Sequence, residues 1–385
     1  MILIDHDRKE LFHQLIVNLQ TSLPFPFAIN NYPSRVSHVN ARWIERQLRR
    51  EPANKKLRVL SWRRQRILLS STSVLQFGEV TYDYDRLLPN KLVIKSSLSN
   101  IANPLTVLRH YREAYFHSFV MQHQVNLPIA PVFASAISEN GKRYFCVQQD
   151  FSESHGVTPR PLPPTKQDAH KNMDALARFH AFWWRNPLLN NYCPTYPSPF
   201  ERIQQPWVIR ISEMIDCYQQ NFPNSWISAL KWAQDNISLV WQRNDLFRVT
   251  LIHGDCHTSN FLSPKSPEIP HSILIDWEYA KVDMAAIDCA RAIALSLHRY
   301  SRRELEDSLL ETYYKSLVGA GVKNYSFDAF YLDYRWAIAE SLLLPVYLWW
   351  RGSSTNNWVR YMENCISSCI DHQVFSLNST SIITQ

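Results

Sequence analysis

Between Leu57 and Phe151 the apolar residues alternate or gather in short runs, whereas after Lys166 they recur almost everywhere at the helical period. That change of period constrains the fold. LRVLSWRRQRILL, VLQFGEVTYDY and KLVIKSS read as strands separated by SSTS and RLLPN, and APVFASAIS and KRYFCVQQDF read as two more, turned at Glu139-Asn140-Gly141, where Asn-Gly tolerates positive φ. Between the two groups NPLTVLRHYREAYFHSFVMQH reads as a helix, with Leu105, Leu108, Tyr111, Tyr115, Phe119 and Val120 at helical spacing after Asn103 and Pro104. Five strands and one helix followed by a helical remainder predict an α+β chain, with a small N-terminal antiparallel sheet and a larger helical part.

Ahead of the strands, residues 5–20 read as a short amphipathic helix, LPFPFAINNYPS as a loop, and VNARWIERQLRR as a helix capped by Asn40 and ended before Pro52. Beyond them SESHGVTPRPLPPT is a Pro-rich connector. KQDAHKNMDALARFHAFWW, residues 200–220, SWISALKWAQDNISLVWQR and most of Met284 to His372 follow as helices, interrupted by VTLI and SILIDWEY, two short strands read as an inserted hairpin. A chain of 385 residues exceeds what one core usually holds. We therefore expect a lead-in at 1–56, a sheet lobe at 57–151 and a helical lobe at 152–385.

With 45% hydrophobic and 19% charged residues the chain is globular rather than disordered. The N-terminus MILIDHDRKELFHQLIV is charged through its first ten residues and makes a poor signal peptide. AIAESLLLPVYLWW carries Glu340 and Pro345 and falls short of the roughly 20 residues of a membrane span, so it reads as a buried helix. Seven cysteines without CxxC pairs give no zinc or disulfide framework, and the expected location is a reducing cytoplasm. Cys365 and Cys369, one turn apart, read as core residues. Oligomeric state has no signature.

The net charge of +7 is unevenly placed, because residues 1–150 hold 20 Lys or Arg against 11 Asp or Glu. The densest run spans Arg42 to Arg66 with Trp43 and Trp62 interleaved. No nucleic-acid-binding motif accompanies it, so a solvated helix and strand face is the expectation and nucleic acid is not an expected partner.

Three chemistries fit HGDCHTSN, His253 to Asn260. Alternating His253, Asp255 and His257 on a strand would share one face and suit zinc or iron. An Asp and an Asn after a strand also make a plain turn. In the third, His-x-Asp with Asn four residues further on is a phosphotransferase loop, in which Asp255 receives the acceptor hydroxyl's proton and Asn260 binds magnesium. Phosphotransfer further requires a carboxylate on the next strand, and Asp276 in ILIDWEY supplies it; amide and carboxylate oxygens suit a hard cation. It also requires a Lys on the third strand and a Glu on the following helix, which Lys95 and Glu113 satisfy in order.

LVIK, REAYF, FCVQQDF, LARFHAFWW, LIHGDCHTSNFL, ILIDWEYA and IDCARAIA, spanning about residues 57–300, together resemble the aminoglycoside phosphotransferase and choline kinase superfamily. NARWIERQL and the long first sheet resemble its ecdysteroid-kinase-like branch. The resemblance implies a bilobal protein-kinase-like fold with ATP and Mg2+ as cofactors. It makes Asp255 the base, Asn260 and Asp276 the metal ligands, and Lys95 and Glu113 the phosphate-holding pair. It further makes Gln148, Gln149 and Phe151 part of the adenine-contacting hinge, and His253 and Asp288 supports of the catalytic loop. His257 either orients that loop or touches substrate, and His180 is expected to be a satisfied core histidine.

The phosphate turn departs from the glycine-rich pattern, reading SSTSV, with Ser71 and Ser73 offering hydroxyls and amides in place of glycines; the whole chain has only 7 Gly. Gly254 stands where protein kinases carry an arginine, and about seven residues separate Asp276 from the next helix. A long activation segment has no room, which disfavours a protein substrate. The expected activity is ATP- and magnesium-dependent phosphorylation of a hydroxyl on a small molecule, acting without a membrane span. The alternative is a catalytically inactive nucleotide-binding or scaffold protein that uses its basic N-terminal surface to hold an anionic partner.

Overall fold

The computed structural model describes residues 32–33, 35–70, 72–83, 88–98, 104–123, 127–138, 141–159, 162–192, 204–242 and 248–378. The expected helix at 5–20, Ser71, Asn103, Glu139-Asn140 and Cys193 lie outside them. The chain divides into two compact units, one comprising Met1–Gly156 with Ile275–Ala280, the other Val157–Leu274 with Lys281–Gln385.

In the first unit, α1 (Ala41–Leu48) begins where Asn40 accepts the Trp43 N–H. Five antiparallel strands follow: β1 (Val59–Leu69), β2 (Ser73–Tyr82), β3 (Lys91–Ser97), β4 (Val132–Ile137) and β5 (Tyr144–Gln149), ordered β1-β2-β3-β5-β4. The helix α2 (Pro104–His123) lies between β3 and β4 in the chain. Strand alternation assigns the two faces of the sheet. Leu92, Ile94, Phe145 and Val147 pack with Trp43, Ile44 and Leu48 of α1, while Tyr144 and Cys146 pack with Val107, Tyr111 and Ala114 of α2. Lys95 is one step from Ile94 and opposite Cys146 in the ladder, so it shares the α2 face. Much of the basic run is locally engaged, with Arg63 paired to Glu79, Arg49 to Glu45, and Arg66 lying 4.0 Å over the Phe77 ring.

The short strand β6 (His155–Val157) carries the chain from the first unit to the second. The second unit contains α3 (Lys166–Trp183), α4 (Gln204–Tyr218), α5 (Asn224–Gln242), β7 (Val249–Ile252), β8 (Phe261–Pro264), β9 (Ile273–Leu274), β10 (Lys281–Met284) and α6 (Ala286–Ala290). A π-helical turn at Arg291–Leu295 then leads to α7 (Arg299–Gly319), α8 (Phe327–Ser341), α9 (Leu343–Trp350) and α10 (Thr355–Asp371). The buried Arg302 of α7 pairs with Glu306 on its own helix and with Asp371 of α10. Among the described residues no helix is long and apolar enough to cross a membrane.

Four expectations require correction. VTLI and SILI do not form a hairpin with each other: β7 pairs with β10 and β8 with β9. The strand at SILIDWEY stops at Leu274, because Asp276 turns to a left-handed φ of 71° and Trp277 is buried in the first unit, stacked on Phe116 at 3.9 Å. The helix after Asp276 begins at Ala286, with β10 intervening. The segment AIAESLLLPVYLWW forms the end of α8 and all of α9, divided at Leu342. Pro345 lacks the N–H that would bond the Ser341 carbonyl, so an unbroken helical ladder cannot pass this point. Cys365 and Cys369 are fully buried in α10, as expected of core residues.

Gly141 turns the chain into β5 at φ 65°, and a Cβ there would overlap the Tyr111 ring and Val107. Replacing Gly141→Ala combines positive-φ strain with overpacking and is expected to destabilise the protein by about 2–4 kcal/mol, read as a lowered midpoint in urea denaturation.

Candidate active site

Four charged side chains meet in the first unit. The Lys95 Nζ donates to Glu113 Oε1 at 2.8 Å and to Asp276 Oδ1 at 2.7 Å, and lies 3.5 Å from Glu278 Oε1. Helical spacing on α2 builds the facing surface: Arg109 lies 3.9 Å from Glu278, Glu113 bonds Lys95, and Phe116 stacks on Trp277. Glu113 also has His117 within 3.7 Å, one turn on. Burial by itself would lower the Lys95 pKa, but Asp276, Glu113 and Glu278 hold it well above the usual lysine value. Burial would likewise raise Glu113, yet Lys95 and His117 bring it down to about 2. Glu278 is raised to about 7 by burial, with Asp276 and Glu113 adding to the effect against Lys95.

Oxygens of Glu113, Asp276 and Glu278 lie within 4.8 Å of one another. The lysine ammonium already sits among them, so it neutralises the triad in part. Asp276 is the accessible member, with 43% of its side chain exposed.

The turn between β1 and β2 has its own closure. Ser70 Oγ accepts the N–H groups of Thr72 and Ser73, and the Ser70 N–H reaches the Ser73 carbonyl at 2.8 Å. A serine hydroxyl thus ties amides that a glycine loop would leave open. Ser73 is buried, and Thr72 Oγ1 reaches Glu278 at 3.4 Å. At the end of β5, Gln148 meets His117 at 3.3 Å, the Gln149 N–H bonds the Pro131 carbonyl, and the Phe151 carbonyl accepts the N–H groups of Ser154 and His155.

In the second unit, the His253–Asn260 loop follows β7 and is pinned from below by a fully buried carboxylate. Asp288 Oδ2 accepts the His253 N–H at 2.6 Å, Oδ1 accepts the Gly254 N–H at 2.8 Å, and His180 Nε2 lies 3.1 Å from Oδ2. His180 also bonds Tyr313 at 2.7 Å, so it is a satisfied core histidine. Gly254 takes a φ of 78°, which favours glycine. The Asn260 amide donates to the Asp255 carbonyl at 2.9 Å, which leaves its oxygen, the hard-cation donor, out of that bond.

Arg291 grips Asp255. Its Nε and Nη2 donate to Asp255 Oδ1 at 3.1 and 2.9 Å, while His257 Nε2 lies 3.6 Å from Oδ2. Burial raises the Asp255 pKa, but Arg291, His257 and His253 outweigh it and the net direction is down. Arg291 opens the π-helical turn, whose spare carbonyls are met by α10: Asn364 donates to Leu295 and Ser368 to Ala294. Sequence reasoning missed Arg291, Glu278, Arg109 and the Phe116–Trp277 stack. Spacing carried a signal for two of them, since Arg291 stands one turn after Asp288 and Glu278 shares strand parity with Asp276.

A family model described as ecdysteroid kinase-like matches residues 119–323, more than half of the chain. The chain belongs to the ecdysteroid kinase-like family. No curated protein sequence matches it. Among solved structures, an ethanolamine kinase from Plasmodium vivax matches with a TM-score of 0.50 at 12% identity, covering 80% of this chain and 81% of that one. A choline/ethanolamine kinase family protein from Mesorhizobium loti matches with a TM-score of 0.50 at 10% identity, covering 88% and 96%. A variant of aminoglycoside 2'-phosphotransferase-IIIa in complex with GDP matches with a TM-score of 0.50 at 11% identity, covering 88% and 100%. The ecdysteroid kinase-like chain therefore has the bilobal α+β kinase-like fold.

Substituting Asp288→Ala leaves two buried N–H groups and His180 without their acceptor, and an expected loss of roughly 3–5 kcal/mol follows. The Asp288 pKa is lowered because His180 and His253 together outweigh the effect of burial. Its stabilisation is therefore present above the ordinary carboxylate value of 3.8 and lost as pH falls below it. In denaturation series, the gap between wild type and Asp288→Asn is expected to be widest at neutral pH and to close towards pH 3.

Proposed function

We propose that this protein transfers the terminal phosphoryl group of ATP to a hydroxyl of a small molecule, with Mg2+. The observation that carries the proposal is the buried Lys95 ammonium bonded to both Glu113 and Asp276. An ammonium that has been desolvated and oriented in this way is a preformed partner for phosphate oxygens. Glu113, buried and ionised, holds Lys95 in position, while nucleotide phosphates displace the more exposed Asp276 from it. Asp276, once released, would be the carboxylate that holds the metal ion.

The chemistry of the donors suits magnesium, because Asp276 would bring a carboxylate and Asn260 an amide oxygen whose nitrogen is already engaged. When bound, the ion would neutralise charge on the transferring phosphoryl group. The residues do the rest. Asp255 accepts the acceptor's hydroxyl proton through Oδ2, since Oδ1 is held by Arg291. Its lowered pKa makes it a weak base, suited to orienting a hydroxyl and taking the proton late, as a loose phosphoryl-transfer transition state allows. Asp288 fixes the backbone from which Asp255 projects.

The acceptor is a small alcohol. Near Trp350 a choline-like ligand would compete with a resident cation, because the Arg210 guanidinium already lies 3.8 Å over that ring.

Two measurements test the proposal. With a panel of hydroxylated metabolites, Asp255→Asn is expected to lower phosphorylated product by at least about 100-fold relative to wild type, in line with the usual worth of a positioned acid or base; equal rates would exclude the mechanism. ATP is expected to raise the melting temperature only when magnesium is present, and Asp276→Ala should abolish that increment.

A further inference from the structure

The loop that carries Asp255 is held from one helix face. Asp288 takes the His253 and Gly254 N–H groups, and Arg291, three residues further and so on the same face, places two N–H groups on Asp255 Oδ1. The first hold is short-armed, because the Asp288 side chain is small and fully buried. The second works through a long stem whose backbone lies where the helix widens into the π-turn Arg291–Leu295. What fixes that turn therefore fixes the reach of Arg291.

Ser296 bonds the turn at its first residue. Its hydroxyl donates to the Arg291 carbonyl at 2.7 Å, five residues back. A helical serine or threonine ordinarily turns its hydroxyl to a carbonyl three or four residues back. The other helices of this unit follow that rule: Thr312 in α7, Ser341 in α8 and Ser368 in α10 bond the carbonyl four back at 2.8, 2.8 and 2.9 Å, and Ser308 in α7 bonds the one three back at 2.8 Å. A carbonyl five back comes within reach where an extra residue widens the turn, so the Ser296 bond favours the π form over the α form.

We propose that Ser296 is a positioning residue for Asp255: its hydroxyl holds the π-turn from which Arg291 reaches the carboxylate. The proposal rests on the reading of Asp255 as the group that receives the acceptor's proton, and adds to it what keeps Oδ2 turned to the acceptor. Asn364 and Ser368 hold the far end of the same turn through the Leu295 and Ala294 carbonyls. Loss of the Ser296 hydroxyl therefore frees the Arg291 end while the other end stays docked on α10. Ser296 is half-buried, so little core packing goes with that hydroxyl.

The test compares Ser296→Ala with Ser296→Thr, which keeps a hydroxyl in place, in the full chain. By NMR of nitrogen-labelled protein, the Arg291 Nε–H signal, assigned by its loss in Arg291→Lys, is expected to exchange slowly with water in the wild type and in Ser296→Thr, and rapidly in Ser296→Ala. That readout needs no turnover. With ATP, Mg2+ and whichever hydroxylated metabolite of the panel gives most product, kcat is expected to fall about fivefold in Ser296→Ala, the worth of about one neutral hydrogen bond, with KM for ATP within about twofold of wild type. Ser296→Thr is expected to restore it. A signal that stays protected in Ser296→Ala, or a Ser296→Thr variant as impaired as Ser296→Ala, would overturn the proposal. Rapid exchange in Ser296→Ala without a fall in kcat would sustain the hold of Ser296 on Arg291 and overturn the reading of Asp255 on which the proposal rests.

Discussion

The arrangement of the first unit rests on an ammonium removed from water. Lys95 is about nine-tenths buried, and a desolvated cation persists only where carboxylates surround it. Glu113 comes from α2, Asp276 and Glu278 from a segment some 160 residues further along the chain, and one lysine therefore draws distant parts of the sequence into the same unit. The Phe116–Trp277 stack supplies the apolar half of the same attachment. Together they explain why the chain leaves β9 at Leu274 rather than extending the strand.

A second buried charge organises the His253–Asn260 loop by the same logic. Asp288 accepts the two backbone N–H groups that open the loop and meets His180 on its other side, so the path of the loop is set before any ligand arrives. Arg291, one turn later, reaches the side chain of Asp255 from a helix that widens to a π-turn at that residue. The widening is tolerated because Asn364 and Ser368 satisfy the carbonyls it exposes. Helix α10 thus supports the Asp255 loop without contributing a residue to it.

Two devices replace familiar kinase parts. A serine hydroxyl closes the turn between β1 and β2, where glycines would leave amides open. Asp276, with a left-handed backbone, rests on Lys95, so one carboxylate serves as the lysine's counter-ion and as a proposed metal ligand.

The sequence by itself determined the elements and their order: alternation predicted the five strands, and Asn40 the start of α1. Its motif spacings and their order along the chain also singled out Lys95, Glu113, His253, Asp255, Asn260 and Asp276, and the family resemblance added Asp288. Pairing was beyond it. That β7 joins β10 rather than the next strand, that α8 and α9 separate at Leu342, and that Glu278, Arg109 and Arg291 complete the charge clusters were decided by tertiary structure alone. The reason is physical: local periodicity reports which face a residue presents, whereas burial of a charge or a ring is settled by whichever partner, however distant in sequence, compensates it best.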